Sequence, residues 1–186
     1  MTNKWNYQPP TDEEIRLRDK LAEELGLSPV ISLLLVRRGL TSAGAVRKFF
    51  KPSLEDLEDP FLMPDMDKAV QRLNHALGHK EKILIYGDYD VDGTTAVALV
   101  YKYLRPFTSN LDYYIPDRYD EGYGISCKGI DYAYERGVSL IISLDCGIKA
   151  IDKIEYAKQK GIDFIICDHH MPDEVLPDAV AVLDAK

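Results

Sequence analysis

The feature that most constrains the fold of this chain is an alternation of short apolar runs with longer amphipathic segments, which begins near residue 80. Five apolar runs predict β-strands, at residues 82–86, 111–115, 138–144, 162–167 and 179–183. The segments between the first four have the apolar spacing of helices, at residues 94–104, 126–136 and 150–160. Strands rich in β-branched residues that alternate with helices are typical of a parallel sheet covered on both faces. We therefore expect an α/β fold, with a parallel β-sheet flanked by helices.

The first eighty residues predict helices instead. Thr11 and Glu14 have the spacing of a capping box, so a helix should begin there and end near Gly26. Further helices are predicted at residues 28–39, 41–50 and 65–78, and a proline-containing connector lies between the last two, at residues 51–64. We expect an N-terminal helical region with its connector over residues 1–79, and an α/β domain over residues 80–186.

Composition excludes several classes of protein. Hydrophobic residues make up 46% and charged residues 29% of the chain, which excludes disorder and collagen-like repeats. The apolar runs are far shorter than the roughly 18–20 residues that span a bilayer, and the first residues lack the apolar segment of a signal peptide. Three cysteines without a CxxC pair predict neither a disulfide framework nor a zinc site. They suit a reducing compartment, so we expect a cytoplasmic protein that binds no membrane.

The charge balance bears on the kind of nucleic-acid partner. The chain has 31 acidic and 23 basic residues, a net charge of −8. A protein that coats nucleic acid needs a basic face, so this balance argues against that class. It leaves a nuclease open, because carboxylates that bind metal ions also count as negative charge.

Acidic and imidazole side chains follow three of the predicted strands. The sequences are GDYDVDG at residues 87–93, DCG at 145–147 and DHH at 168–170. Ligands of open parallel sheets bind beyond the carboxyl ends of the strands, so we expect these side chains to meet at one edge. The carboxylates of this predicted cluster are Asp90, Asp92, Asp145 and Asp168.

Such a cluster needs cations. Two carboxylates about 4 Å apart repel by roughly 1 kcal/mol in water and by about 4 kcal/mol at an effective dielectric constant near 20. They must therefore bind cations or take up protons. Oxygen ligands with one or two imidazoles suit Mn²⁺ or Mg²⁺, and two such ions about 3.5–4 Å apart can bridge a phosphate. The residues alone therefore predict metal-assisted hydrolysis of a phosphoester.

Several of these residues have a simpler interpretation when each is taken alone. An Asp-x-Asp in a turn is common turn chemistry, and Asp145 could be the N-cap of the following helix. In the loop at residues 117–124, Arg118 could bind a phosphate and Tyr123 could stack on a base, or the loop could be an ordinary exposed one. His75 and His79 have a metal-binding spacing, but no carboxylate lies between them, so we interpret them as solvated.

The three motifs in this order resemble those of the DHH phosphoesterase family. They are YGDYDVDGTT at residues 86–95, SLDCG at 143–147 and DHH at 168–170. The sequence of the first motif and the loop EGYGIS at residues 121–126 are most similar to those of the family's exonucleases for single-stranded DNA. Segments at residues 33–39, 51–57 and 59–66 are similar as well, and the similarity runs from about Trp5 to the last residue.

The resemblance implies a role for each motif residue. The implied metal ligands are Asp90, Asp92, Asp145 and His169, with Asp88 as a further acid beside them. His170 would approach the scissile phosphate or support the ligands. The catalytic residues that the resemblance implies are therefore Asp90, Asp92, Asp145, His169 and His170. Pyrophosphatases of the family have a histidine ligand where this chain has Tyr86, which implies a weaker or differently organised second metal.

The resemblance also implies an activity. The protein would be a hydrolase, a nuclease that depends on Mn²⁺ or Mg²⁺. It would degrade single-stranded DNA as a 5′→3′ exonuclease in DNA repair and recombination. Single-stranded DNA would be its partner, with a helicase or a single-strand-binding protein as the protein partner; the sequence leaves the oligomeric state open. The family has a fourth acidic motif and a second domain beyond DHH. We therefore expect an N-terminal fragment with an incomplete two-metal site, weakly active or inactive alone.

Three other functions stay open at this point. One is another DHH phosphoesterase activity, on small nucleotides, and another is a non-catalytic nucleic-acid-binding or scaffold domain. The third is a haloacid-dehalogenase-type phosphatase, because residues 90–94 satisfy the D-x-D-G-T signature of that family. In that scheme Asp90 would be a nucleophile directly at the end of a strand, and the DHH sequence would have no role.

Overall fold

The computed structural model describes residues 6–186 of the chain in two compact units. One unit comprises the described residues up to Glu58, and the other is Asp59–Lys186. The expectation about a signal peptide falls on residues 1–5, which lie outside the described part. The domain boundary expected at residue 79 stays a prediction. Within residues 6–186, no helix has both the length and the apolar character needed to cross a bilayer.

The first unit is helical. Its elements are α1 (Asp12–Leu25), α2 (Pro29–Arg37), α3 (Ala43–Phe50) and a 3₁₀ turn (Leu54–Asp56). The predicted capping box is present: Glu14 donates its amide to the Thr11 hydroxyl at 3.2 Å, and the Glu14 carboxylate accepts the Thr11 amide at 2.8 Å. Gly26 ends α1 in the left-handed conformation, at φ 65°. A small core of four buried residues holds the helices together, Leu21, Leu35, Val36 and Val46.

The second unit contains a five-stranded parallel sheet in the order β2-β1-β3-β4-β5. After a 3₁₀ turn (Pro60–Leu62), its elements are α4 (Met66–Gly78), β1 (Lys82–Gly87), α5 (Val91–Leu104), β2 (Leu111–Tyr114), α6 (Cys127–Glu135), β3 (Val138–Leu144), α7 (Ile151–Gln159), β4 (Asp163–Asp168) and β5 (Ala181–Asp184). The predicted fold class is confirmed. The two 3₁₀ turns fall in the predicted proline-containing connector at residues 51–64.

The sheet is covered on both faces. Alternate residues of β1 point to opposite sides, so Ile83 belongs to one core and Tyr86 to the other. The first core includes Val97 of α5, and the second includes Ile130 of α6 and Ile154 of α7. Helices α4 and α5 therefore pack on one face, and α6 and α7 on the other.

Helix α5 begins three residues earlier than predicted. Asp90 is its N-cap, because the Asp90 Oδ1 accepts the amide of Gly93 at 2.9 Å. A Cβ at Gly93 would lie 2.5 Å from the carbonyl oxygen of Asp88, so only glycine lets the helix begin so close to the preceding loop. The early start carries Asp92 into the first turn of α5.

Candidate metal centre

The sheet brings the three motifs to one edge. Strands β1, β3 and β4 are neighbours, with Gly87 opposite Leu144 and Leu144 opposite Cys167. The motif residues that follow these positions therefore share the carboxyl edge. The amide of Asp145 donates to the carbonyl oxygen of Cys167 at 2.9 Å, which continues the strand pairing into the site.

Asp145, His169 and His170 form the centre of the site. The Nε2 atom of His169 lies 2.9 Å from Oδ1 of Asp145, and one potential ligand atom from each of the three residues lies within 4.8 Å of the others. Asp145 has a φ of 61°, a left-handed conformation that Asp tolerates better than most residues. It is therefore not the cap of α7, whose N-cap is Ala150.

The Asp145 carboxylate is poorly stabilised without a cation. Its side chain is only 9% exposed. Burial and the nearby charge of Asp90 raise the pKa of Asp145, although the hydrogen bond with His169 opposes the shift. A divalent ion would offset the same repulsion.

Asp168 orients the imidazoles. Its side chain, 2% exposed, accepts the amides of Ile148 at 3.0 Å, His169 at 2.7 Å and His170 at 3.1 Å. Burial favours the neutral acid, but these hydrogen bonds outweigh it and lower the pKa of Asp168. Its Oδ1 also lies 2.7 Å from Nδ1 of His170, which therefore carries the proton and leaves a lone pair on Nε2. Sequence reasoning placed Asp168 in the carboxylate cluster but did not predict this supporting position.

Asp88 supplies a test of whether a cation fits here. The residue is 1% exposed; its Oδ1 accepts the amide of Gly124 at 3.4 Å, and its Oδ2 has no hydrogen-bond partner. A buried carboxylate oxygen without a partner is unusual and calls for a cation. Burial and the charges of Asp88, Asp168 and Asp145 raise the pKa of Tyr123, so all three carboxylates face the same region. This set of oxygen and imidazole donors fits Mn²⁺ or Mg²⁺.

Asp90 and Asp92 lie at the rim of the site. One oxygen of Asp90 caps α5, while its charge still affects Asp145. Asp92 lines an open groove of about 410 Å³ together with Asp145 and His169. Neither belongs to the group formed by Asp145 and the two histidines. Of the five ligands that the motifs suggest, the structure brings Asp145 and His169 into direct contact and places Asp88, Asp90 and Asp92 around them.

Tyr86 fixes the loop that borders the site. Its buried hydroxyl donates to the carbonyl oxygen of Gly124 at 3.0 Å and accepts the amide of Ser126 at 3.1 Å. Glu121 adds a second anchor, because its carboxylate accepts the Tyr114 hydroxyl at 2.9 Å and also the Ser126 hydroxyl. Tyr86 therefore holds the backbone of this loop.

The loop presents an aromatic and basic surface beside the histidines. The Tyr123 hydroxyl lies 3.1 Å from Nε2 of His170. Tyr89 meets Tyr123 edge to face, with ring centroids 6.4 Å apart, and the Arg118 guanidinium lies 5.3 Å from the centroid of Tyr89. Next to it, Tyr123, Ile125, Ile148 and His170 help to line a cavity of about 430 Å³. Sequence reasoning missed Tyr89, although its position between two aspartates of the motif is a visible signal.

Comparison with known proteins identifies the family. Residues 82–186, more than half of the chain, match the family described as "DHH family, N-terminal domain". The chain is 40% identical over 98% of its length to the single-stranded-DNA-specific exonuclease RecJ of Bacillus subtilis (strain 168), and covers 23% of that protein. It is 34% identical over 92% of its length to RecJ of Escherichia coli (strain K12), and covers 30% of that protein. The chain thus spans less than a third of the length of these relatives.

Solved structures agree with this assignment. A crystal structure of exonuclease RecJ bound to manganese matches with a TM-score of 0.63 and 27% identity, over 69% of this chain and 33% of the other. RecJ from Thermus thermophilus in complex with Mn²⁺ has the same fold, with a TM-score of 0.67 and 23% identity over 95% of this chain and 24% of the other. The haloacid-dehalogenase alternative is wrong, since β1 ends at Gly87 and Asp90 caps a helix. On its motifs, fold and relatives, this chain belongs to the DHH family.

Proposed function

We propose that this chain contributes the metal-binding edge of a 5′→3′ exonuclease for single-stranded DNA. Two observations carry the proposal: the contact of Asp145 with His169, and the buried, unpartnered Oδ2 atom of Asp88 at the same edge of the sheet. These donors converge at the carboxyl edge of a parallel sheet, where ligands of such folds bind. The exonuclease names of the RecJ relatives support the choice of reaction.

The proposed metal ligands are Asp145 and His169, with Asp88, Asp90 and Asp92 as the further carboxylates of the set. The metal is Mn²⁺ or Mg²⁺, and imidazole among the donors favours Mn²⁺. The bound ion would supply positive charge at the phosphate and make it a better electrophile. The fit of the donors, and the manganese in the two RecJ structures, support this assignment.

The protein's own side chains would position and neutralise the substrate. Asp168 holds His170 with its Nε2 free of a proton, next to the Tyr123 hydroxyl. His170 is thereby held where it would approach the scissile phosphate, with Nε2 as an acceptor for the Tyr123 hydroxyl. Without cations the carboxylates would repel a phosphodiester, so binding of DNA in this groove depends on the metal.

Recognition of a single strand is assigned to the surface beside the histidines. Tyr89 and Tyr123 offer faces and edges for base stacking, and Arg118 offers a fork of donors for a phosphate. Stacking on aromatic rings tolerates any base, which suits degradation without regard to sequence. The adjacent cavity of about 430 Å³ can take an unpaired base, which a duplex does not offer.

Wider roles are part of the same proposal. Repair and recombination generate the single strands on which such an enzyme acts, and a helicase or a single-strand-binding protein would deliver them. The three free cysteines suit the reducing cytoplasm.

The test begins with metal binding by this chain. Mn²⁺ titration followed by electron paramagnetic resonance should show binding that Asp145→Asn and His169→Asn weaken strongly. Asp178→Asn, an exposed acid outside the site, is the matched control and should bind as wild type does. Equal Mn²⁺ affinity in all four proteins would overturn the proposed site.

The second step concerns the substrate. In Mn²⁺, the chain should bind a 5′-labelled single-stranded oligonucleotide more tightly than a duplex or a dinucleotide, and Arg118→Met should weaken this binding. We expect little or no cleavage by this chain alone. Preference for the dinucleotide would favour the small-nucleotide alternative, and brisk degradation of DNA would refute the expected low activity.

A further inference from the structure

The C-terminal end of α4 carries two histidines that the proposed function does not use, His75 in the last turn and His79 as the C-cap. His75 and His79 are stacked, with ring centroids 4.0 Å apart and planes inclined by 23°. Both residues are exposed, and the sequence alone suggested simple solvation. The structure adds a carboxylate from outside the segment between the two histidines: Glu81, just before β1, lies beside His75.

Hydrogen bonds fix the same tautomer in both rings. Nδ1 of His75 lies 2.9 Å from Oε1 of Glu81, and Nδ1 of His79 lies 2.9 Å from the carbonyl oxygen of His75. A carboxylate and a carbonyl only accept hydrogen bonds, so each Nδ1 must carry the proton. In the neutral ring, Nε2 then holds the lone pair, and both rings present that nitrogen as a donor to a metal.

The outer hydrogen-bond partner of His75 is itself held in place. Arg72 donates from Nη2 to Glu81 at 2.7 Å and from Nε to Asp163 at 2.6 Å. A histidine whose Nδ1 donates to a fixed carboxylate is the usual arrangement around protein-bound metals, because it orients the ring and raises its basicity. The His75 side chain is nevertheless 56% exposed, so an ion can reach it.

We propose that His75 and His79 form a second metal site, which binds a divalent ion of the imidazole-preferring class: Zn²⁺, Ni²⁺ or Cu²⁺. Two neutral imidazoles one helical turn apart form a chelate, and water completes the coordination. Imidazole suits these ions, whereas Mn²⁺ and Mg²⁺ prefer the oxygen-rich donors at Asp145. Glu81 precedes β1 and Asp163 begins β4, so the pair lies at the amino edge of the sheet, opposite the first centre.

The histidine content of the chain makes the test clean. There are four histidines, two at each edge. Zn²⁺ binding is measured by equilibrium dialysis on untagged wild type, on His75→Gln/His79→Gln and on His169→Gln/His170→Gln. We expect the first double variant to lose one bound Zn²⁺ per chain and the second to retain it. An unchanged number of Zn²⁺ ions in His75→Gln/His79→Gln would overturn the site.

Spectroscopy and single variants check the ligands. In the His169→Gln/His170→Gln background, bound Cu²⁺ should show hyperfine coupling to two imidazole nitrogens, reduced to one by His79→Gln. Glu81→Gln should weaken Zn²⁺ binding by about tenfold, as loss of an outer partner does at other sites. His79→Gln leaves the contact of His75 with Glu81 intact, so it decides the question if the double variant fails to fold. Coupling to two nitrogens that persists in His79→Gln would refute the chelate.

Discussion

The two edges of the sheet contain similar residues with opposite electrostatics. At the amino edge, the carboxylates of Glu81 and Asp163 share the guanidinium of Arg72. At the carboxyl edge, the only ionisable partners of Asp145 and Asp168 are imidazoles, and among the described residues no Lys or Arg forms an ion pair with Asp88, Asp145 or Asp168. Each edge therefore pairs acids with histidines, but only at the amino edge is a permanent positive charge paired with the acids.

The titration behaviour follows this difference. Burial disfavours the charged form of Glu81, but Arg72 outweighs it, so the pKa of Glu81 is lowered. Burial and Asp90 instead raise the pKa of Asp145. A carboxylate with a cationic side chain stabilises the fold, while one without it stores unfavourable energy that a metal ion can release. The missing counter-charge, more than the acids themselves, distinguishes the carboxylate cluster at Asp145 from the structural ion pairs of Arg72.

Asp145→Asn should give the largest effect and separates binding from stability. The change removes a charged oxygen at the metal centre, so we expect Mn²⁺ affinity to fall by about 100-fold or more, since the loss of a mere outer partner of a ligand already costs about 10–100-fold. The free energy of unfolding without metal should not fall, because the substitution also removes a repelled charge. Mn²⁺ titration and urea unfolding measure the two quantities. If the variant were less stable and bound Mn²⁺ with normal affinity, Asp145 would be a structural residue and the contrast between the two edges would be wrong.

Arg72→Met at the amino edge should give the opposite result. It leaves Glu81 and Asp163 without their cation, and we expect a loss of about 2 kcal/mol in the free energy of unfolding. That is less than for a fully buried pair, because Asp163 is partly exposed. Mn²⁺ affinity should stay unchanged. Lys68→Met, which removes an exposed partner of Asp65, is the control and should cost less than about 1 kcal/mol. If both substitutions cost the same, the amino edge contributes little to stability.

Tyr86→Phe tests the tether of the loop at the carboxyl edge. The substitution leaves the amide of Ser126 and the carbonyl of Gly124 without their buried partner, so we expect a loss of about 1.5 kcal/mol. Tyr134→Phe, at an exposed ring, should have almost no effect. Urea unfolding gives the stabilities, and hydrogen exchange at the Ser126 amide reports on the loop. Unchanged exchange there would mean that Glu121 alone holds it.

Local patterns in the sequence predicted much of this structure. The capping box of α1, the five strands and the meeting of three motifs at one edge depend on spacing and on the rule for parallel sheets, so each could be derived without coordinates. The start of α5 could not. The predicted helix began at residue 94, just after Gly93, whereas the structure has this residue of low helix propensity inside the helix, where the close approach of the backbone to Asp88 requires a glycine.

The roles of individual acids were also beyond the sequence. Asp90, Asp145 and Asp168 are all acids at or shortly after the ends of strands, yet Asp90 caps a helix, Asp145 contacts an imidazole and Asp168 is buried among amides. These differences depend on the φ of Asp145 and on amides contributed by other segments. Likewise, Glu81 reaches His75 across the turn between α4 and β1. Only the tertiary fold determines such pairings.

The smallest expected effect is the pH dependence of the amino edge. Because the folded-state pKa of Glu81 is lowered, its ion pair with Arg72 contributes fully above the ordinary carboxyl pKa of about 4.3 and is lost as the pH falls below it. Wild type should therefore exceed Glu81→Gln in stability at pH 6, and the difference should shrink steadily toward pH 3. The midpoints of urea unfolding, measured at intervals of half a pH unit, give the trend. Glu55→Gln, at an exposed acid of the first unit, is the control. A difference that stays constant with pH would show that Glu81 acts through its shape and hydrogen bonds, and the contrast in charge between the two edges would then lose its support.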